Sequence, residues 1–178
     1  NEEVIGTITL GDQEDVNNAV AAAKKAFVTF SKTTVAERAT LIEKIIAAYQ
    51  KRMPEIATTV SQEMGAPLSL ANMAQAPAGL GHFAYTLNAM KTFEWEKDKG
   101  RNRIVHEAIG VCALITPWNW PLNQIAAKVA PAIAAGCTMI LKPTEIAPLN
   151  AIIFAEVMHE AGVPPGVFNL VNGDGPGV

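Results

Sequence analysis

The sequence has few cysteines and few aromatic residues. Its 178 residues include two cysteines, and 6% are aromatic. Cys112 and Cys137 stand in apolar surroundings without a Cys-x-x-Cys or Cys/His spacing, so we expect no structural metal site. Two buried free thiols are typical of a reducing compartment, and we therefore expect a cytoplasmic protein.

No excess of one charge and no long hydrophobic run is present. The chain has 14 basic and 17 acidic residues, a formal net charge of −3. A nucleic-acid-binding protein normally shows a basic excess or stripe, so we expect no nucleic-acid partner. The longest apolar region, residues 122–141, is broken by Lys128, Pro131 and Gly136, and we expect no membrane span. The mixed-charge stretch 94–103 is predicted to be a solvated connector.

The chain up to about residue 102 is predicted to be helical. Apolar residues recur at helical spacing, and Thr34 with Glu37 forms a capping box before a second apolar stripe. Gly79 and Gly81 weaken the last predicted helix. The predicted helices are 16–30, the helix that follows the capping box, 53–65 and 69–93.

From residue 103 onwards the pattern changes to short apolar strands that alternate with helices. Strand, helix, strand, helix, strand with short connections predicts a parallel sheet with right-handed crossovers. The predicted fold is therefore α/β, in one domain, with leading helices followed by a Rossmann-like parallel βαβαβ sheet. The predicted elements are an edge strand over 103–107, buried strands over 110–116, 138–141 and 167–171, and helices over 121–135 and 148–161.

Three loops follow the predicted parallel strands, over residues 116–121, 142–147 and 172–177. In open parallel sheets, ligands bind outside the carboxyl ends of the strands, so these loops are expected to meet at one crevice. The third loop is glycine-rich. Such a turn lets a backbone approach a phosphate, although many ordinary tight turns have the same composition.

The first loop carries an amide side chain, Asn119, between Trp118 and Trp120. A neutral amide donor suits an oxyanion that develops during a reaction. The alternative is that Asn119 caps the helix that begins near Pro121.

The second loop carries Lys142 and Glu145. A carboxylate that accepts hydrogen bonds from vicinal hydroxyls favours an unphosphorylated ribose, as in NAD, and it repels the 2′-phosphate of NADP. The alternative is a solvated ion pair at the end of a strand.

Four ordered segments together resemble the aldehyde dehydrogenase family. They are residues 117–119, 128–138, 141–145 and 160–169, and the similarity is dense from Ala108 to Gly177 and continuous back to about Asp12. The resemblance implies oxidation of an aldehyde to an acid with NAD or NADP through a cysteine thiohemiacetal. It also implies that residues 1–178 are the N-terminal part of the cofactor-binding domain, with the nucleophilic cysteine and the general-base glutamate beyond Val178.

The same resemblance implies roles for individual residues. Asn119 matches the oxyanion-hole asparagine of the family, and Lys128 matches a lysine near it, although an exposed helix lysine is the competing interpretation. Trp120 and Gln124 match positions near the aldehyde entrance. The implied cofactor-binding residues are Thr116, Pro117, Trp118, Asn119, Lys142, Thr144, Glu145, Gly175 and Pro176.

Three functions remain open on the sequence: an aldehyde-oxidising enzyme, a nucleotide-binding homologue without chemistry, and a non-enzymatic relative kept for assembly. Asn119 favours the enzyme, because a pure NAD binder needs Lys142 and Glu145 but no oxyanion donor. An acyl-CoA-forming semialdehyde dehydrogenase is the nearest alternative reaction. The expected partners are a small aldehyde, NAD rather than NADP, and further copies of the chain in a homodimer or homotetramer.

Overall fold

Helices fill the first half of the chain and a parallel sheet occupies the second, as the sequence predicts. The computed structural model describes residues 3–178. The helices are α1 (Gln13–Phe30), α2 (Val35–Met64), the short α3 (Leu68–Leu70), α4 (Ala76–Met90), α5 (Pro121–Ala134) and α6 (Leu149–Glu160). The strands are β1 (Glu96–Lys99), β2 (Asn102–Val105), β3 (Val111–Ile115), β4 (Thr138–Lys142) and β5 (Phe168–Leu170).

The capping box predicted from Thr34 and Glu37 starts α2. Glu37 N donates to Thr34 Oγ1 at 3.2 Å, and Thr34 N donates to Glu37 Oε2 at 2.7 Å. Each side chain thus satisfies an amide that the first helical turn leaves free. Helix α1 begins with an equivalent reciprocal pair, Asp12 and Asp15.

The separate helix predicted over residues 53–65 is wrong. Helix α2 runs without interruption through Pro54 and ends at Gly65, whose φ is +78°. The buried face of α2, which includes Tyr49, Ile56 and Val60, packs against α4 and α6. Burial along this continuous face outweighs the one backbone hydrogen bond that a proline removes.

The predicted helix over residues 69–93 is interrupted near its start. A π-helical turn over Ala71–Gln75 separates α3 from α4, and Ala76 N donates to the carbonyl of Ala71. The widened turn ends two residues before Pro77. A proline ring collides with the carbonyl four residues earlier, and the wider turn relieves this collision.

Residues 94–103 are not a simple connector, because β1 and β2 form an antiparallel hairpin there. Gly100 at the turn has a φ of +64°. Arg103 of β2 contacts Glu96 at 3.1 Å and Asp98 at 3.0 Å across the hairpin. The mixed charges are solvent-exposed, as expected, and they also form cross-strand pairs. The edge strand predicted over 103–107 is β2.

The parallel sheet has the strand order β3-β4-β5. Val111 pairs with Thr138, and Met139 pairs with Phe168. Strand β4 is central and largely buried, whereas β3 is at the edge and Ile115 is 71% exposed. The prediction of a buried strand over 110–116 is therefore correct for the position of the strand and wrong for its burial.

Helices cover both faces of the sheet. Thr138 Oγ1 donates to the carbonyl of Ala23 in α1 at 2.9 Å. Since successive side chains of a strand point to opposite faces, Met139 and Leu141 face away from α1, and both belong to the main core. That core includes Tyr49 of α2 and Phe154 of α6, whose rings meet edge to face.

Helix α2 is joined to the C-terminal end of α6 by ion pairs. Arg52 contacts Glu156 at 2.7 Å and Glu160 at 2.6 Å, and it also pairs with Glu55 on its own helix.

Across residues 3–178, no helix combines the length and apolar character needed to cross a membrane.

Candidate functional site

The three predicted loops leave the sheet at the same edge. Ile115 pairs with Lys142 and Leu141 pairs with Leu170, so β3, β4 and β5 end side by side. Two hydrogen bonds continue the ladder beyond the strands, from Thr116 N to the carbonyl of Lys142 at 3.2 Å and from Val171 N to the carbonyl of Leu141 at 2.9 Å. The loops therefore start next to one another, as their order in the sequence predicts.

The first loop presents its side chains to solvent. Thr116 is buried, whereas the residues from Pro117 to Trp120 are exposed. The N-cap position of α5 is Trp120, and no side chain among the described residues caps the helix. Asn119 therefore does not have the capping role that was its alternative. In the described part of the chain, the Asn119 amide has no hydrogen-bond partner and is free to donate to a ligand.

The second loop contains an ion pair. Lys142 Nζ lies 3.0 Å from Glu145 Oε2, with side chains that are 14% and 49% exposed respectively. The pKa of Glu145 is lowered, first by a hydrogen bond from its own backbone amide and then by Lys142. Glu145 is therefore a carboxylate at neutral pH, an acceptor for hydroxyl groups. Thr144 is buried, and its Oγ1 accepts a hydrogen bond from Ile146 N at 3.2 Å.

The N-terminus of α6, directly after this loop, is already occupied by the protein. Pro148 at the N-cap offers no capping side chain, and Glu63 of α2 accepts the amides of Leu149 and Asn150. A phosphate therefore does not find free amides at this helix end, although such ends commonly bind anions. None of the motifs in the sequence points to Glu63. The missing cap before Leu149 was the one local signal that a distant acceptor was needed.

The third loop contains Gly175 and Pro176 in an exposed turn. Asp174 Oδ1 accepts a hydrogen bond from Gly177 N at 2.7 Å. At the base of this loop, Gly11 N donates to the carbonyl of Asn172 at 2.7 Å, which ties the segment before α1 to the end of β5. These contacts give the glycine-rich turn a fixed starting point at the edge of the sheet.

Lys128 and Gln124 contact each other on α5. Lys128 Nζ lies 3.3 Å from the carbonyl of Gln124 and 3.5 Å from its Oε1, and both side chains are half-buried. Lys128 is therefore not the freely exposed helix lysine of the competing interpretation. Lys128 lies one helical turn after Gln124, and its ammonium group reaches back to Gln124 on the helix that the Asn119 loop leads into.

Neither cysteine has the surroundings of a reactive thiolate. The pKa of Cys112 is raised, mainly by burial and then by the neighbouring Cys137. Cys137 is 3% exposed. A nucleophilic cysteine needs a lowered pKa and access to substrate, so the pair fits a structural role.

A parallel sheet with polar and glycine-rich loops at its carboxyl edge is the architecture of a nucleotide-binding α/β protein. The residues at this edge fit a dinucleotide: a carboxylate beside an ammonium group for a ribose, an unpaired amide, and a glycine turn. The chain belongs to the aldehyde dehydrogenase family, whose sequence model matches residues 1–178.

Individual relatives agree with this membership. The chain is 56% identical over 178 residues to 3-succinoylsemialdehyde-pyridine dehydrogenase from Pseudomonas sp.. It is similar to the crystal structure of an aldehyde dehydrogenase from Bartonella henselae, with a TM-score of 0.97 and 49% identity over 99% of the chain. It is also similar to aldehyde dehydrogenase C from Pseudomonas syringae, solved with NAD+ and octanal, with a TM-score of 0.97 and 50% identity over 99% of the chain.

The matches cover a minor part of each relative. The chain spans 37% of the Pseudomonas dehydrogenase, 38% of the Bartonella chain and 36% of the Pseudomonas syringae chain. These residues therefore correspond to a little over a third of the length of each relative.

Proposed function

We propose that this chain is the N-terminal part of the cofactor-binding domain of an NAD-dependent aldehyde dehydrogenase. The observation that carries the proposal is the common edge at which the loops of Asn119, Lys142 and Gly175 begin. Membership of the family supports it, and so does the similar Pseudomonas syringae structure, which holds NAD+ and octanal.

In this proposal Asn119 is the catalytic residue of the chain. Attack by a thiolate on an aldehyde places negative charge on the former carbonyl oxygen, and the Asn119 amide donates a hydrogen bond to that oxygen. The prolines on either side of the loop restrict its backbone. The Asn119 amide is therefore positioned before the reaction, so little free energy is needed to reorient it. Lys128 stands beside Gln124 as a cation that adds to the positive potential near this oxygen.

The cofactor-binding residues lie on the other loops. Glu145 accepts hydrogen bonds from the ribose hydroxyls, with Lys142 as its charge partner. Thr144 shapes the loop, Thr116, Pro117 and Trp118 flank the cofactor, and Gly175 and Pro176 lie near the adenine end. A bound dinucleotide would supply the hydride acceptor for oxidation of the substrate carbon. The carboxylate of Glu145 supports NAD over NADP, because a 2′-phosphate beside it is repelled.

The nucleophile and the general base are proposed to lie outside residues 1–178. Cys112 and Cys137 have the wrong surroundings for attack, because burial raises the pKa of Cys112 and Cys137 is almost completely buried. Trp120 and Gln124 would contribute one wall of the aldehyde entrance.

Assembly as a homodimer or homotetramer in the cytoplasm completes the proposal. Light scattering on the purified full-length protein measures the oligomeric state.

The decisive experiment measures NAD binding and aldehyde-dependent NADH formation by the full-length protein. We expect calorimetry to detect NAD binding that is tighter than NADP binding, together with NADH formation from a series of aldehydes. Adding coenzyme A separates the acyl-CoA-forming reaction, which requires it, from simple oxidation. NAD binding without any turnover would support the nucleotide-binding homologue instead, and no binding at all would refute both.

A further inference from the structure

Glu63 contacts the start of α6 with both of its carboxylate oxygens. Leu149 N donates to Oε2 at 2.7 Å and Asn150 N donates to Oε1 at 2.9 Å, while Asn150 Nδ2 also donates to Oε1. The residues that meet here lie 86 and 87 positions apart in the sequence. A carboxylate of one helix thus caps another helix.

Within residues 3–178, helix α6 has no other side-chain cap. Its N-cap residue, Pro148, has no polar side chain, and no local side chain satisfies the free amides of the first turn. Asn150 is fully buried, so neither its backbone nor its side chain can turn to water when Glu63 is removed. Asn150 Nδ2 also donates to the carbonyl of Ala147 at 2.8 Å, which extends the network into the loop before the helix.

The charge of Glu63 is balanced by the helix rather than by a cation. Among residues 3–178 it has no ion-pair partner, and its half-buried carboxylate faces the positive end of α6. Burial raises the pKa of Glu63, and the hydrogen bonds from Asn150 and Leu149 act against this rise. An acidic group placed in such surroundings contributes little as a surface charge. Its contacts indicate a structural task at this helix end.

The loop that Glu63 holds is the one that carries the proposed ribose contacts. Residues 143–148 connect β4 to α6, with Pro143 at one end and Pro148 at the other. Lys142 is fixed by the sheet through its backbone bond to Thr116. Within the loop Thr144 and Ala147 are buried, and at its far end the loop joins the first turn of α6. The position of Glu145 relative to Lys142 therefore depends in part on that turn.

We propose that Glu63 is a positioning residue for cofactor binding: by fixing the first turn of α6 it sets the place of Glu145 beside Lys142. The inference rests on the proposed function, because it assumes that this loop contacts the dinucleotide. Glu63 itself touches neither the cofactor nor the reacting atoms. Its effect should therefore appear in the binding of NAD and not in the chemical step.

The experiment compares two substitutions of Glu63 with two controls in the full-length protein. Glu63→Gln keeps one acceptor oxygen but turns an amide group towards a backbone N–H. Glu63→Asp keeps both oxygens on a shorter side chain. Glu43→Gln removes an exposed carboxylate from the same helix, and Ile42→Val truncates a buried core residue of that helix. For each protein, kcat, the KM for NAD, the KM for aldehyde and the melting temperature are measured.

We expect Glu63→Gln to raise the KM for NAD about tenfold, the size of one lost hydrogen bond to a charged group, with kcat at saturating NAD and the aldehyde KM within about twofold of wild type. Glu63→Asp should recover part of the loss. Glu43→Gln should match wild type in all four measurements, and Ile42→Val should lower the melting temperature without changing the KM for NAD.

A lowered melting temperature with an unchanged KM for NAD in Glu63→Gln, as in Ile42→Val, overturns the inference and leaves the proposed function intact. Should Glu63→Gln fail to fold, Glu63→Asp decides, and an unchanged KM for NAD in that variant overturns the inference as well. If the wild-type protein binds no NAD, the proposed function fails first and the inference falls with it.

Discussion

The backbone amide of Thr116 donates a hydrogen bond of 3.2 Å to the carbonyl of Lys142. This bond extends the pairing of β3 and β4 by one step beyond the last residue of β3. It joins the loop that carries Asn119 to the loop that carries Glu145, so neither loop can shift at its base without the other. The bases of the two loops are therefore held in a fixed relation by the sheet, while the place of Glu145 itself also depends on the first turn of α6.

Replacing Asn119 tests the proposed oxyanion contact. We expect Asn119→Ala to lower kcat by roughly 10²–10³, because one preorganised donor is lost in the transition state, while the dissociation constant for NAD stays near wild type. Steady-state kinetics and calorimetry on the full-length protein measure the two quantities. Asn18→Ala, at an exposed position of α1, is the matched control and should have no effect. Unchanged turnover in Asn119→Ala would remove this residue from the mechanism.

Replacing Glu145 tests the choice between NAD and NADP. The Glu145→Gln side chain no longer repels a 2′-phosphate and accepts hydrogen bonds from hydroxyl groups less strongly, so the ratio of the two cofactor KM values should narrow by about tenfold. Glu94→Gln is the matched control, because Glu94 also pairs with a lysine three residues away, Lys97. This pair is exposed and lies far along the chain from the loop of Glu145. A titration in which both variants keep the wild-type ratio would refute the ribose role.

Replacing the cysteines tests whether the nucleophile lies elsewhere. Cys112→Ser and Cys137→Ser should retain wild-type kcat, since burial raises the pKa of the Cys112 thiol and Cys137 is buried away from any substrate. Cys137→Ser places a hydroxyl in a buried position and should lower the free energy of unfolding by about 1–3 kcal/mol. Activity assays and thermal unfolding separate these effects. A folded but inactive variant at either position would show that the proposed location of the nucleophile is wrong.

Two glycines of α4 should respond to alanine in opposite directions. A Cβ at Gly79 would overlap Tyr49 Oη and lie 3.2 Å from Leu122 Cβ, whereas a Cβ at Gly81 meets only Tyr85 Cε2, at 3.9 Å. Gly79→Ala should therefore destabilise the fold by about 1–3 kcal/mol through overpacking. Gly81→Ala should stabilise it by about 0.5–1 kcal/mol, because alanine loses less backbone freedom in a helix. Thermal unfolding of the two variants under one condition is the measurement, and equal shifts would contradict the packing argument.

These glycines also show where sequence reasoning succeeds and where it stops. Both counted against a helix, yet α4 forms, because Gly79 gives room to Tyr49, whose hydroxyl donates to the carbonyl of Ala76 at 2.8 Å. A partner 30 positions earlier in the chain leaves no mark on the local pattern. By contrast, the capping box of α2 and the strands and helices from β3 to β5 follow from residues close in sequence, and these elements were predicted within a few positions.

The candidate site also has one part that local sequence predicts and one part that it does not. The common edge of the three loops was predictable, because strand order and connection length determine where parallel strands end. The cap on α6 was not, since it joins Glu63 to residues 86 and 87 positions later. The continuity of α2 through Pro54 was missed for a related reason: burial against other helices, and not the local sequence, decides it.

Helix α6 is fastened to α2 at both of its ends, by Glu63 at the first turn and by Arg52 at Glu156 and Glu160. The two attachments differ in kind. The Arg52 pairs are partly exposed, so added salt weakens them, whereas Glu63 is half-buried and its partner Asn150 is fully buried. In concentrated salt the last turn of α6 should loosen before the first, and hydrogen exchange would then spread from residue 160 towards residue 149, reaching the loop of Glu145 last.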